Sequence, residues 1–147
     1  MTIGASTKRL EDKRFLQGRG SYVDDLQLPG MLHSVVLRSP YAHAKIIKIE
    51  TDYAVSMPGI IDILTFADLE EVTTIPIRLN PYGSLEPFLQ YPLAHKRVRY
   101  VGDPVALIIA NNRYQAEDAL DHINILYEPL PTSIQVQGTV SIPLYDE

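Results

Sequence analysis

The feature that most constrains this sequence is the run Val105-Ala106-Leu107-Ile108-Ile109-Ala110, apolar throughout. Successive side chains of a strand point to opposite faces, so a strand with one wet face alternates apolar and polar residues. A run without alternation belongs to a strand covered on both faces. It is also far shorter than the roughly 20 residues a helix needs to cross a bilayer, so no membrane span is expected. Gly102-Asp103-Pro104 turns the chain into this strand and Asn111-Asn112 ends it. Asn112 with Gln115 three residues on matches a capping box, and Ala116, Ala119, Leu120 and Ile123 recur at helical spacing as one apolar stripe. A buried strand followed by a helix laid on its sheet is the expected centre of the fold.

The remaining strands are read around that centre. Leu32 to Leu37 and Ala44 to Ile49 read as strands separated by Ser39-Pro40. Thr51 is placed to cap a helix of about two turns that stops at Met57, because the residue before Pro58 is pushed out of the α region and Gly59 completes a turn. Ile60 to Thr65 reads as a strand, Val98 to Val101 as extended, and Asn124 to Tyr127 as the last strand before Pro129-Leu130-Pro131. The order is β-β-α-β, a Pro-rich irregular loop over 67–96, then β-β-α-β. This is an α+β chain, two similar units with helices packed on a small mixed sheet. Residues 1–30, without periodicity, read as an extended arm wrapping the body, 31–131 as the folded domain, and 132–147 as a tail or linker.

Composition limits the chemistry. A chain of 147 residues, 46% hydrophobic and 21% charged, can fold as one domain with a real core. The absence of cysteine excludes disulfides, thiolate zinc sites, cysteine nucleophiles and cysteine-ligated iron–sulfur clusters within these residues. The charged start, MTIGASTKRLEDKRF, has no apolar stretch of the kind a secretory signal requires, so a cytoplasmic location is expected. A net charge of -5 argues against nucleic acid as a partner, because that affinity comes from cations displacing phosphate counterions. The short basic clusters Lys8-Arg9, Lys13-Arg14 and Lys96-Arg97-Val98-Arg99 read as solvated surface or protein contacts.

Candidate chemical groups are few. His33, His43, His95 and His122 are scattered, with no pair at metal-ligand spacing. His43 lies in a turn leading into a strand, where its ring can satisfy backbone groups. Asp24 and Asp25, being adjacent, would point apart on an extended chain and read as a turn cap. Gly18-Arg19-Gly20 lacks the third glycine and the following helix of a phosphate-binding loop, and Ser34, Ser39 and Ser56 lack a nucleophile elbow. Tyr22, Tyr41, Tyr100 and Tyr127 sit beside strands and read as core or interface. No catalytic, cofactor-binding or metal-ligating residue is assigned. An enzyme built from Asp24, Asp25, His33 and His43 would need those side chains to converge in one pocket.

Several strings of residues carry a resemblance. They run in order from Lys8-Arg9-Leu10-Glu11-Asp12 and Gly18-Arg19-Gly20-Ser21-Tyr22-Val23-Asp24-Asp25, through Leu28-Pro29-Gly30-Met31-Leu32-His33, to Arg38-Ser39-Pro40-Tyr41-Ala42-His43-Ala44. Met57-Pro58-Gly59-Ile60, Val98-Arg99-Tyr100-Val101-Gly102-Asp103-Pro104-Val105-Ala106, Tyr114-Gln115-Ala116-Glu117-Asp118-Ala119 and Tyr127-Glu128-Pro129-Leu130-Pro131 continue the series. Together they resemble the start of the large, molybdenum-bearing subunit of the aldehyde oxidase, xanthine dehydrogenase and carbon monoxide dehydrogenase family. The resemblance implies the α/β-hammerhead fold. It implies a molybdopterin-type molybdenum cofactor held by other domains, and partner subunits carrying FAD and iron–sulfur clusters. It carries over no family catalytic residue, because the glycine-rich motif and the late Gly-Glu segment used at the metal have no counterpart in these residues. The expected role is a structural domain or split subunit of a molybdenum hydroxylase, inactive alone, with Tyr22, Met31, the Pro-rich loop and the tail from Thr132 as interface candidates. The alternative is a free-standing binding or scaffolding module with this fold and no redox role.

Overall fold

The computed structural model describes residues 3, 4, 6, 9–78 and 89–132. The centre of the Pro-rich loop, 79–88, and the tail from 133 lie outside the described residues. The strands are β1 (His33–Arg38), β2 (Ala44–Glu50), β3 (Ile60–Thr65), β4 (Arg97–Val98), β5 (Pro104–Ala110) and β6 (Asn124–Pro129). The helices are α1 (Asp12–Leu16), α2 (Asp52–Val55) and α3 (Arg113–Leu120).

The apolar run forms β5, the middle strand of a sheet ordered β1-β5-β3. Ile108 faces Val35 on one neighbour and Ile63 on the other. Ala106, Ile108 and Ala110 join Ala116 and Ala119 of α3, Ala54 of α2 and Ile123 in one buried cluster. Alanines at the helix contact positions bring α3 close to the sheet. Val105 belongs instead to a second cluster with Ala44, Ala94 and Val98, beneath a sheet ordered β4-β2-β6. β5 contributes buried residues to both clusters, and Ile49 of β2 and Ile125 of β6 pack against both. This is why its sequence shows no polar alternation.

The α+β class holds, and the strands divide between two sheets in which every described pairing is antiparallel. Each sheet takes strands from both halves of the chain, so the two expected units interlock rather than stand side by side.

Local readings differ in three places. Thr51 does not cap α2: its backbone is already helical (φ -113°, ψ -10°), its side chain makes no capping bond, and the helix is a single turn ending at Val55. A capping hydroxyl needs an extended backbone to reach the first-turn amides, and β2 runs into the helix without one. Asn112 is extended (φ -148°, ψ 165°) and does cap α3, its side chain accepting from the Gln115 amide at 3.0 Å. The expected extension Val98 to Val101 stops at Val98, for a reason found in the next subsection.

Residues 1–31 separate as a unit of their own. Instead of remaining extended, they contain α1, formed around a Glu11–Arg14 ion pair of 3.0 Å and the Phe15 ring, over which the Arg9 and Arg14 guanidiniums lie. One turn is too short to show periodicity. The Phe15 and Tyr22 rings stack at 6.2 Å, and Asp25 accepts from the Tyr22 amide at 2.9 Å, closing the next turn.

Candidate functional site

Buried polar groups mark where a fold holds something in place, and among the described residues they are Ser39 and Asp103. They meet where β1 ends and β5 begins. The Ser39 amide donates to the Asp103 carbonyl at 2.9 Å, the Gly102 amide to the Ser39 carbonyl at 2.8 Å, and the Arg38 guanidinium to the Gly102 carbonyl at 2.9 Å. Ser39 Oγ donates to the Tyr41 carbonyl and accepts from the Tyr41 amide, each at 3.0 Å. The Asp103 carboxylate accepts from the Arg99 amide at 2.9 Å, while the Asp103 amide donates to the Tyr100 carbonyl at 3.2 Å. The amide that would extend β4 at Arg99 therefore bonds to a carboxylate, and the chain turns. Gly102 makes the turn with φ +95°, open to glycine and resisted by residues with a Cβ. Tyr41 packs on Tyr127 with centroids 5.0 Å apart. The Tyr127 hydroxyl is buried and finds no well-formed hydrogen bond among the described residues; its polar neighbour is Ser39, whose hydroxyl proton is already given to Tyr41.

Burial pushes the Asp103 carboxyl above its ordinary value, against the opposing pull of the Arg99 amide, the Arg99 charge and the Tyr100 hydroxyl. Burial likewise raises the Tyr100 and Tyr127 phenols. An acid whose pKa is raised in the fold holds its proton more tightly there. Its contribution to stability is present below the ordinary carboxylate pKa and is lost as pH rises through the raised value. Asp103→Asn keeps an acceptor for the Arg99 amide and removes the titration. Thermal melts from about pH 4 to 7 should show the variant gaining on the native chain as pH rises. A gap that does not change with pH would contradict this account of Asp103.

A cleft of about 380 Å³ lies elsewhere on the 32–132 body. Ile46 and Ile49 of β2 form one wall, Thr65 to Ala67 with Leu69 another, and Ala94 to Lys96 close it. His95 stacks on Phe66 at 4.1 Å between centroids, and Tyr91 stands edge-on to both. Burial lowers the His95 pKa, reinforced by the Lys96 and Arg99 charges, so the ring holds a proton less readily than a free imidazole. The walls suit an apolar group, and the Thr65 hydroxyl is already bonded to Asp68.

The other sequence candidates are dispersed. His33 is on β1 opposite Ala110, His43 donates from Nδ1 to the Pro131 carbonyl at 2.8 Å, and His122 packs on Tyr53 at 5.0 Å. His43 thus satisfies a backbone group, as expected of its turn. His33 lies on β1 of one sheet, whereas His43 sits in the bend that precedes β2 of the other. Ser56 Oγ donates to the Tyr53 carbonyl, Ser34 lies on β1 opposite Ile109, and the Gly18 amide closes the end of α1 on Phe15. Among the interface candidates, Tyr22 is exposed and Met31 half-buried. Sequence reasoning did not single out Asp103 or Arg38. The one available signal was an Asp placed between Gly and Pro before the apolar run.

The family described as "Aldehyde oxidase and xanthine dehydrogenase, a/b hammerhead domain" matches residues 17–131. The chain belongs to this family. The carbon monoxide dehydrogenase large chain of Afipia carboxidovorans is 42% identical over 132 residues, 90% of this chain and 16% of that protein. The nicotine 6-hydroxylase large subunit of Paenarthrobacter nicotinovorans is 42% identical over 139 residues, 94% of this chain and 17% of that one. Among solved structures, reconstituted CO dehydrogenase from Oligotropha carboxidovorans superposes with a TM-score of 0.77 at 39% identity, over 90% of this chain and 16% of the other. This is a molybdenum hydroxylase family domain, and it spans about a sixth of the length of the relatives it matches.

Among the described residues, the polar groups present do not fit the family's molybdenum cofactor. A pterin with its phosphate needs convergent donors and acceptors. The cleft presents mainly apolar side chains, the carboxylate at the Ser39–Asp103 corner is filled by protein donors, and no three His, Asp or Glu side chains among the described residues are grouped to hold a metal. No chemical step is derived through that group.

Proposed function

We propose that this hammerhead domain is a structural, non-catalytic part of the large subunit of a molybdenum hydroxylase, acting within that subunit or as a separately encoded chain docked to it. It braces the cofactor-bearing domains and helps wall the substrate entry. Its partners are the molybdopterin-bearing remainder of the large subunit and, through it, subunits carrying FAD and iron–sulfur clusters. The observation that carries this reading is the match over residues 17–131 to a domain that is only about a sixth of relatives named as large chains or large subunits. The absence of cysteine accords with a reducing, cytoplasmic setting.

The test is affinity purification of the tagged chain from its native host, with molybdenum in the eluate measured by elemental mass spectrometry. Molybdenum at near one atom per tagged chain is the expected result. A clean chain without molybdenum, from cells that express molybdenum enzymes, would favour the free-standing module instead. Isolated residues 1–147 should show no aldehyde, heterocycle or carbon monoxide oxidation.

A further inference from the structure

We infer that the corner joining β1 to β5 is a docking knob, whose apolar tip at Val101, next to Tyr100, seats in an apolar recess of the cofactor-bearing part of the enzyme. The inference rests on the proposed function and adds the surface through which it operates.

Val101 is 66% exposed, and Tyr100 and Tyr41 are each 40% exposed. A single exposed apolar side chain means little. What sets this one apart is the scaffold beneath it. The residues on both sides of Val101 are fixed by backbone bonds to Ser39, Asp103 and Tyr100, with the Arg38 guanidinium closing on Gly102. The buried Asp103 carboxylate closes this turn on the Arg99 amide, and the Ser39 backbone holds Gly102 and Asp103 from the end of β1. The desolvated Asp103 carboxylate and the left-handed Gly102 hold this turn in one conformation. Rigidity of this kind lowers the ordering cost when an exposed tip is bound.

The chemistry of the tip describes its partner. Tyr100, adjoining Val101 in the chain, is of the aromatic type enriched among interface anchors, which fill well-packed, desolvated pockets. Arg38 is exposed at the base of the knob with one N–H bonded to Gly102, so a carboxylate or carbonyl on the rim of the recess would complement it. In the relatives this domain accounts for about 16% of the chain, so the remainder of the large subunit is the occupant assigned to this surface.

The test uses the tagged chain expressed in its native host, in native form and as Val101→Glu, with Tyr114→Glu as control. Tyr114 is 78% exposed on α3, away from the corner in sequence. Molybdenum retained per tagged chain should fall about ten-fold for Val101→Glu and stay within about two-fold for Tyr114→Glu, as a charge buried in an apolar recess requires. Circular dichroism and a thermal melt establish that each variant is folded. If Val101→Glu does not fold, Val101→Ser is read in its place, with about a three-fold loss expected from removing an anchor side chain. A folded Val101 variant that retains as much molybdenum as the native chain overturns the docking knob and leaves the proposed function standing. A native chain that retains none overturns both.

Discussion

Ile108→Ala should lower the stability of the domain by about 4 kcal/mol, toward the upper end of the range for aliphatic-to-alanine changes in cores. Ile108 has no exposed surface and lies mid-sheet between Val35 and Ile63. The size of the effect depends on how far the surroundings can close over the missing carbons. Here they close poorly. Much of the wall is alanine, at positions 54, 106, 110, 116 and 119, whose side chains are too short to move into the space. Those on β5 and α3 are also fixed by the sheet and helix that carry them. Leu126→Ala is the matching control: that side chain is 59% exposed on β6, and its loss should change stability by less than about 0.5 kcal/mol. Denaturant titration of the three proteins checks both. A loss under about 1.5 kcal/mol at Ile108 would mean that the core repacks and that β5 is not the rigid centre described above.

The same strand shows what the sequence could reveal. Its unbroken apolar character gave its boundaries to within one residue and the burial of the face carrying Ala106, Ile108 and Ala110; on the opposite face Val105 is buried, while Leu107 and Ile109 are only half-buried. Asn112 and the Ala116–Ala119 stripe were legible for a similar reason, since caps and amphipathic faces are written within a few residues. The partners of β5 were not. β1 and β3 pair with it from the other half of the chain, while β2 crosses to the second sheet. Nothing local records which of several short β-branched segments will lie beside which. A register set by packing over long sequence separations is readable only when the strands are in place.

The Ser39–Asp103 corner was illegible for a further reason. Arg38-Ser39-Pro40 and Gly102-Asp103-Pro104 each look like an ordinary turn, and polar residues at turns are normally solvated. Only their meeting across the β1–β5 ladder buries the hydroxyl and the carboxylate and turns the chain at Arg99 instead of continuing β4. In the structure the two strings, far apart in sequence, are halves of one hydrogen-bonded corner.

Gly59→Ala should destabilise the chain by about 2 kcal/mol, through two separable effects. Gly59 has φ +85°, where a residue with a Cβ is opposed by its own carbonyl geometry. A Cβ built there would also fall on the Gln115 carboxamide, at a close approach between the β3 entry and α3. Gln115 is not free to step aside without loss, because its side chain accepts from Asn112 Nδ2 at 2.8 Å, beside the cap of α3. The Gly59 carbonyl in turn accepts from the Asn111 amide at 2.9 Å, so distortion at 59 reaches the end of β5. Combining Gly59→Ala with Gln115→Ala separates the effects. The double variant should recover the steric part, about 1 kcal/mol, while the backbone part persists. Recovery of the full loss would assign everything to the clash and nothing to the left-handed turn. No recovery would show that Gln115 yields freely, leaving the backbone as the sole reason for glycine in the Met57-Pro58-Gly59-Ile60 string.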